Sequence, residues 1–233
     1  MTSKFLHHIP CPKCGSRDNC GEYSDHYYCF GCRFYKTKDD LKSLRSRVAD
    51  RGRSTEIDTV VQDIKVDSDI PPEARRWLYS YGITKEDIHN YGIGWNESQA
   101  LLVLHKQKDY WQGRTFNPHA RTKYMSMGKK PLLLYGKSDT IVLVEDIISA
   151  IRISEVATGM PLLGVSMSQQ TIDKIVENFN RAVVWLDRDK ATLAIKHKRA
   201  LEMRGIDASV VISPKDPKEY TKGELSEWLN LKS

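Results

Sequence analysis

The sequence predicts an α/β protein made of a small N-terminal β module, a linker and a larger mixed core. Three observations predict it. Two C-x-x-C pairs, with fourteen residues between them, lie in a segment too short to bury a core of its own. From residue 139 onward, strand-like and helix-like segments alternate, which implies a parallel sheet with helices on both faces. Between these regions, residues 98–136 read as strands and hold seven Lys/Arg against the single acid Asp109. Residues 1–97 carry 15 basic and 15 acidic side chains and residues 137–233 carry 14 of each, so the middle segment supplies the whole net charge of +6.

The module spans residues 1–37. "CPKC" supplies Cys11 and Cys14, and "CFGC" supplies Cys29 and Cys32. Each pair contributes two thiolates at the spacing of a tetrahedral zinc site. Zinc then provides the folding energy that so short a chain lacks, about 10–16 kcal/mol in small zinc peptides. Four cysteines close the coordination sphere, so the zinc is structural. Disulfides are the competing reading, and an odd total of five cysteines argues against them. Cys20 is left over as a free thiol, and His7, His8 and His26 read as surface residues. Such a ribbon suits presentation of a small surface to nucleic acid or protein.

Residues 38–70 are mostly charged and polar and read as a linker, with a helix over 39–50. The next division, residues 71–137, begins with two short helices. One runs from Pro72 to Tyr81 and stops at Gly82; the other starts after Thr84 as N-cap and ends before Gly92. Strands follow in "ALLVLHKQKDYWQGRTF", "KYMSM" and "PLLLYG". The basic excess here is the footprint expected of a phosphate-binding surface.

Residues 138–214 give strands at "TIVLVE", "PLLGV", "AVVWLD" and "ASVVIS", separated by helical segments; residues 215–233 form a C-terminal tail or helix. Ligands of parallel sheets bind at the carboxyl ends of strands. Here one strand ends in Glu145, another in Asp187 and Asp189, and "PKDPKEY" after the last strand offers Asp216. Adjacent carboxylates at a strand end repel and need compensation by a cation or a proton. The D-x-D spacing predicts that Asp187 and Asp189 point the same way, as hard-cation ligands do. No apolar run reaches the length of a membrane span, and the first residues lack an apolar signal core. A cytosolic location is the expectation.

With these motifs in order, the chain resembles the DnaG-like primases of bacteria and the primase portion of phage primase–helicases. The matching features are the four-cysteine ribbon, the element "WLYSYGITKEDIHNYGIGW", the pairs Gly113-Arg114 and Lys123-Tyr124, the acids Glu145, Asp187 and Asp189, and Asp216-Pro217. The resemblance implies a primase polymerase core with a basic mixed subdomain and a Toprim parallel-sheet subdomain. It implies RNA primer synthesis on single-stranded DNA from ribonucleoside triphosphates. Glu145, Asp187 and Asp189 would hold Mg2+ or Mn2+, with Asp216 at the fringe. Arg114, Lys123, Tyr124, Arg121, Lys129 and Lys130 would contact nucleotide or template. Tyr124 and Trp111 could stack on bases, with interior packing the favoured role for Trp111.

Three positions depart from the family's pattern. Asp146 stands where a glycine is usual, Ser149 where a second acid is usual, and Lys218 where another acid often follows Asp-Pro. No P-loop is present, so a replicative helicase would be a separate partner. Two other readings share these motifs: a Toprim-type nuclease, and a non-catalytic zinc-ribbon protein that binds single strands or recruits a helicase.

Overall fold

A computed structural model describes residues 3–37, 63–164 and 166–230, and divides the chain into two units, Met1–Asp58 and Thr59–Ser233. The expected helix over 39–50 and most of the expected linker lie outside the described residues.

The first unit is an antiparallel meander of four strands in sequential order: β1 (Phe5–Ile9), β2 (Cys20–Tyr23), β3 (His26–Cys29) and β4 (Tyr35–Thr37). Its interior consists of Cys11, Cys20 and Cys29, flanked by Ile9, Tyr27, Cys32 and Phe34. The two cysteine turns share one geometry. Gly15 N–H donates to Cys11 O at 2.9 Å and Arg33 N–H to Cys29 O at 2.8 Å. The donor is the fourth residue after the first cysteine in both, and both lie in the left-handed region, Gly15 at φ 70° and Arg33 at φ 56°. Glycine adopts this freely and arginine does not, so the second turn is held in place by its surroundings.

The second unit contains two four-stranded sheets. Helices α1 (Pro72–Ser80) and α2 (Lys85–Asn90) lead into it. Thr84 caps α2 as expected: its hydroxyl accepts from Asp87 N–H at 3.1 Å, and Asp87 Oδ2 accepts from Thr84 N–H at 2.8 Å. Strands β5 (Gly94–Asn96), β6 (Leu101–Gln107), β7 (Tyr110–Thr115) and β8 (Tyr124–Gly128) form an antiparallel sheet. Leu102, Leu104 and Tyr110 face the main core, while Leu101, Val103 and Trp111 pack against Ile64 on the other face. Trp111 is therefore interior, and residues 64–70 belong to this unit: Ile64 and Ile70 are buried, and Asp67 exchanges two backbone hydrogen bonds of 2.8 Å with Trp95.

The parallel sheet runs β10 (Thr158–Pro161), β9 (Thr140–Val144), β11 (Arg181–Val184), β12 (Asp207–Val210). Its strands alternate between two cores. Val142, Val144 and Val183 face α3 (Ile147–Ile153) and α6 (Lys222–Trp228); Ile141, Leu143, Ala182 and Val184 face α4 (Gln169–Asn178) and α5 (Ala191–Glu202). Both faces are thus covered, which is why these strands read as unbroken apolar runs. Two expected strands move. The strand assigned to "PLLGV" instead lies at Thr158–Pro161, where Gly159 lets the backbone pass α3; a Cβ there would stand 2.2 Å from Ala150 O. "PLLLYG" forms no strand: Tyr135 alone makes an isolated bridge to Gly159.

Candidate active site

The order of the parallel sheet decides where chemistry can sit. From β9 the chain goes one way to β10, then returns past β9 to β11 and on to β12. The connections diverge between β9 and β11, and a crevice outside the carboxyl ends of such a strand pair is where open α/β sheets bind ligands. Glu145 directly follows β9, and Asp187 lies just beyond β11.

The two acids are locked to each other. Glu145 Oε1 accepts from Asp187 N–H at 3.0 Å, and Glu145 Oε2 accepts from Lys190 Nζ at 2.7 Å. Lys190 Nζ also lies 3.5 Å from Asp187 Oδ2 and 3.9 Å from Asp189 Oδ1. Asp216 reaches the same place from the loop after β12. Trp185 Nε1–H donates to Ser213 Oγ at 2.7 Å, and Ser213 Oγ–H donates to Lys215 O at 2.6 Å. This relay fastens the loop to the end of β11 and brings Asp216 near enough for its charge to act on Asp187. Desolvation, then the Glu145 and Asp216 charges, push the Asp187 carboxyl up to about 6.

Asp189 is the more exposed of the pair. Strand β11 ends at Val184 and Arg188–Lys190 is a 3₁₀ turn, yet the carboxylates of Asp187 and Asp189 lie 3.5 and 3.9 Å from the Lys190 ammonium. The Asp189 side chain is 78% exposed, against 40% for Asp187. The convergent set is Glu145, Asp187 and Asp216.

The three unusual positions meet each other. Asp146 is the N-cap of α3, accepting from Ser149 N–H at 2.9 Å and from Ser149 Oγ at 3.1 Å. Lys218 Nζ donates to Asp146 Oδ2 at 2.8 Å and lies 2.8 Å from Asp216 Oδ2. Burial works against the Lys218 charge, but Asp146 and Asp216 more than reverse this and raise its pKa. Lys190 and Lys218 were not among the residues expected from the sequence. The signal was present: each lies two or three positions after an acid, in "DRDK" and "DPK".

The basic residues divide into separate groups. Arg114 on β7 lies 4.5 Å from the Trp77 ring centroid and 5.8 Å from those of Phe116 and Tyr124. Its Nε is buried without a hydrogen-bond partner. Tyr124 is half-buried; desolvation and the Asp146 charge raise its hydroxyl pKa, which places this aromatic cage beside the acidic edge. Lys218 Nζ also sits 5.6 Å from the Tyr81 ring. Arg121 and Lys123 are exposed in the segment between β7 and β8. Lys129 and Lys130 line a cleft of about 730 Å³ with Lys174, beside the end of β10 and the start of α4. Lys130 Nζ donates to Leu163 O there.

In the first unit the sulfurs of Cys11, Cys14, Cys29 and Cys32 all lie within 4.8 Å of one another, with Cys11–Cys32 at 3.6 Å and Cys14–Cys29 at 3.8 Å. These residues can hold a zinc ion. Cys20 lies behind them on β2, opposite Cys29, with its thiol pushed up to about 11 mainly by burial. Among the described residues the four cysteines are the only group of three or more His, Cys, Asp or Glu side chains whose ligand atoms lie close enough together to hold a metal ion. The acidic edge still fits a hard divalent cation by its donor set, since carboxylate oxygens converge there and the Lys190 ammonium already sits between two of them.

One face of the first sheet carries rings from all four strands. Phe5 packs on His8 and Tyr23 with centroids 5.0 and 5.6 Å apart; Tyr23 stacks on His26 at 4.5 Å and 4°; His26 meets Tyr35 at 4.9 Å. Phe5 and Tyr35 are exposed.

No family model matches the chain, and no curated protein matches its sequence. Solved structures do match. The zinc-binding and RNA polymerase domains of the Aquifex aeolicus primase superpose with a TM-score of 0.56 at 16% identity, covering 98% of this chain and 78% of that one. A DNA primase domain from Pseudomonas aeruginosa gives 0.51 at 14%, covering 82% of this chain and 78% of that one. Among the described residues no helix is long and apolar enough to cross a membrane. At these identities the likeness establishes the fold alone, a cysteine-bearing β module followed by a mixed α/β core as in those two bacterial primase structures.

Proposed function

We propose that this chain is a DNA primase, joining ribonucleoside triphosphates into short RNA on single-stranded DNA in the bacterial cytoplasm. The observation that carries this reading is the convergence of Glu145, Asp187 and Asp216 at the divergent strand ends of a primase fold. Nucleotidyl transfer concentrates negative charge on phosphates, and catalysis is mostly positioning and electrostatic stabilisation. Glu145 and Asp187, with Asp216 beside them, would hold Mg2+ or Mn2+, which supplies charge neutralisation to the triphosphate.

The chain's own residues do the rest. The hydrogen bond from the Asp187 backbone N–H orients the Glu145 carboxylate before any nucleotide arrives. Asp189, outside the convergent set, serves the outer rim of the site. Arg114, held over the Trp77 ring, would supply a guanidinium to a phosphate near the acidic edge. Tyr124 shapes the same corner. Arg121 and Lys123 extend the positive track along the template backbone, and Lys129, Lys130 and Lys174 line the second cleft for phosphates. In the first unit, the Phe5–Tyr23–His26–Tyr35 row offers flat faces on which unpaired template bases stack, a sequence-tolerant mode of single-strand binding. Strand opening is left to a separate replicative helicase.

The test is incubation with single-stranded DNA of mixed sequence, four labelled ribonucleotides and Mg2+ or Mn2+. Short labelled RNA from the wild type, absent with Asp187→Ala, is the expected result. Loss of DNA without RNA would establish the nuclease instead. DNA binding with neither product, under a range of templates and with a helicase added, would establish the non-catalytic reading.

A further inference from the structure

The acidic edge contains two ammonium groups, and they are held very differently. Lys190 reaches Glu145 and Asp187 from an exposed 3₁₀ turn at the rim. Its side chain is 28% exposed, and a four-carbon stem lets it swing away when a better cation arrives. Lys218 is 13% exposed and bridges Asp146 and Asp216 with two contacts of 2.8 Å. Its backbone belongs to a turn fixed at both ends. Pro217 precedes it, Asp216 N–H donates to Glu219 Oε2 at 3.0 Å, and Glu219 N–H donates to Asp216 O at 2.9 Å. The Tyr81 ring covers the ammonium from outside, and Asp146 is itself pinned by Ser149.

From this contrast we infer that Lys218 is a built-in cation: it occupies the position between Asp146 and Asp216 permanently, so that the edge takes one divalent ion, between Glu145 and Asp187, and not two. The inference rests on the nucleotidyl-transfer reading above and concerns how the same site is charged. A small divalent ion keeps several waters and needs only one or two protein carboxylates, with substrate phosphates completing its shell. Asp146 and Asp216 would form such a pair if nothing lay between them. A lysine there supplies part of the same charge without depending on ion concentration. The departures then form one device: Asp146 provides the second carboxylate, Ser149 fixes it, and Lys218 neutralises it. Lys218 acts as a positioning residue, holding Asp216 toward Asp187 and fixing the local charge.

The experiment counts bound Mn2+ on the full-length, zinc-loaded protein by electron paramagnetic resonance, where bound ion loses the sharp signal of free Mn2+. The wild type is expected to bind one equivalent, lost in Asp187→Asn. Lys218→Met is expected to bind two, and Lys218→Arg one. Two equivalents on the wild type, or one on Lys218→Met, would overturn the inference while leaving a metal-dependent site intact. No Mn2+ on any variant would overturn instead the metal-dependent reading on which it rests. Should Lys218→Met fail to fold, the wild-type count decides alone, because two ions are incompatible with a lysine holding the second position.

Discussion

The two ligand clusters of this protein are built in opposite ways. The cysteine cluster is closed: four soft donors lie within 4.8 Å, and the buried interior of its unit consists of little else. The acidic edge is open: hard donors from strand ends are held by lysine ammoniums, above a sheet already packed on both faces by Val142, Val144, Ile141 and Leu143. In the first unit the cysteines that could hold zinc are also the core, so loss of a bound ion is expected to cost the fold. In the second the core does not depend on the acids, which leaves them available for the proposed chemistry. A cluster's role can thus be judged by asking what remains of its surroundings without it.

The largest effect expected from that contrast is on Cys29→Ser. It should abolish zinc binding and the antiparallel sheet of the first unit, taking the content from one zinc to none by elemental analysis. Heteronuclear NMR should show signals of the second unit unchanged; their collapse would deny the independence of the two.

Asp187→Asn should do the reverse. Transfer falls by about 10²-fold or more, as when a preorganised electrostatic group is removed, while the melting temperature does not drop. Burial and two neighbouring carboxylates oppose the charge at this position, so its loss relieves the fold. A melting temperature well below the wild type would show that Asp187 is structural.

A pH effect of intermediate size follows from the same group. Its carboxyl is raised from 3.8 to about 6, so the folded protein holds that proton more tightly than the unfolded chain. The charged form weakens the fold as pH rises through this window, and cation binding needs that form. Cation uptake by the metal-free protein should therefore weaken as pH falls through about 6, well before an ordinary carboxylate with a pKa of about 4 would protonate. Asp216→Asn should move the decline to lower pH, since it removes one of the charges that raise Asp187.

Smaller effects belong to the surfaces. Tyr23→Ala, removing the central ring of the aromatic row, should weaken single-strand binding by about 1–3 kcal/mol with little sequence preference, read by fluorescence anisotropy. Arg114→Ala should weaken binding less and lower the salt slope by about one phosphate contact. An unchanged slope would place the phosphate track elsewhere.

Much of this was legible in the sequence. Paired C-x-x-C spacing encodes its own geometry, and acids that end apolar runs mark strand termini on a parallel sheet. What escaped was set by packing across the fold. "PLLGV" is more apolar than "ATGMP", yet Thr158–Pro161 is the strand because Gly159 alone permits close passage over Ala150. "PLLLYG" alternates as a strand should, with Leu133 and Tyr135 buried and Leu132 and Leu134 exposed, but it finds only one bridging partner. The aromatic row draws its rings from four strands, and no linear spacing reveals it. Asp189 is more exposed than Asp187 because period-two alternation holds only while a strand lasts, and β11 ends at Val184. The lysines inside the acidic edge were missed because attention to acids alone leaves out the cations that let like charges sit together.

The most direct test of the division between the clusters is labelled ribonucleotide incorporation on single-stranded DNA, with zinc-loaded protein first freed of Mg2+ and Mn2+. The account predicts a folded protein that binds DNA and makes no RNA, and full recovery of synthesis when Mg2+ or Mn2+ alone is returned. RNA made before that addition, or DNA binding that waits for it, would contradict the assignment of folding to the cysteines and chemistry to Glu145, Asp187 and Asp216.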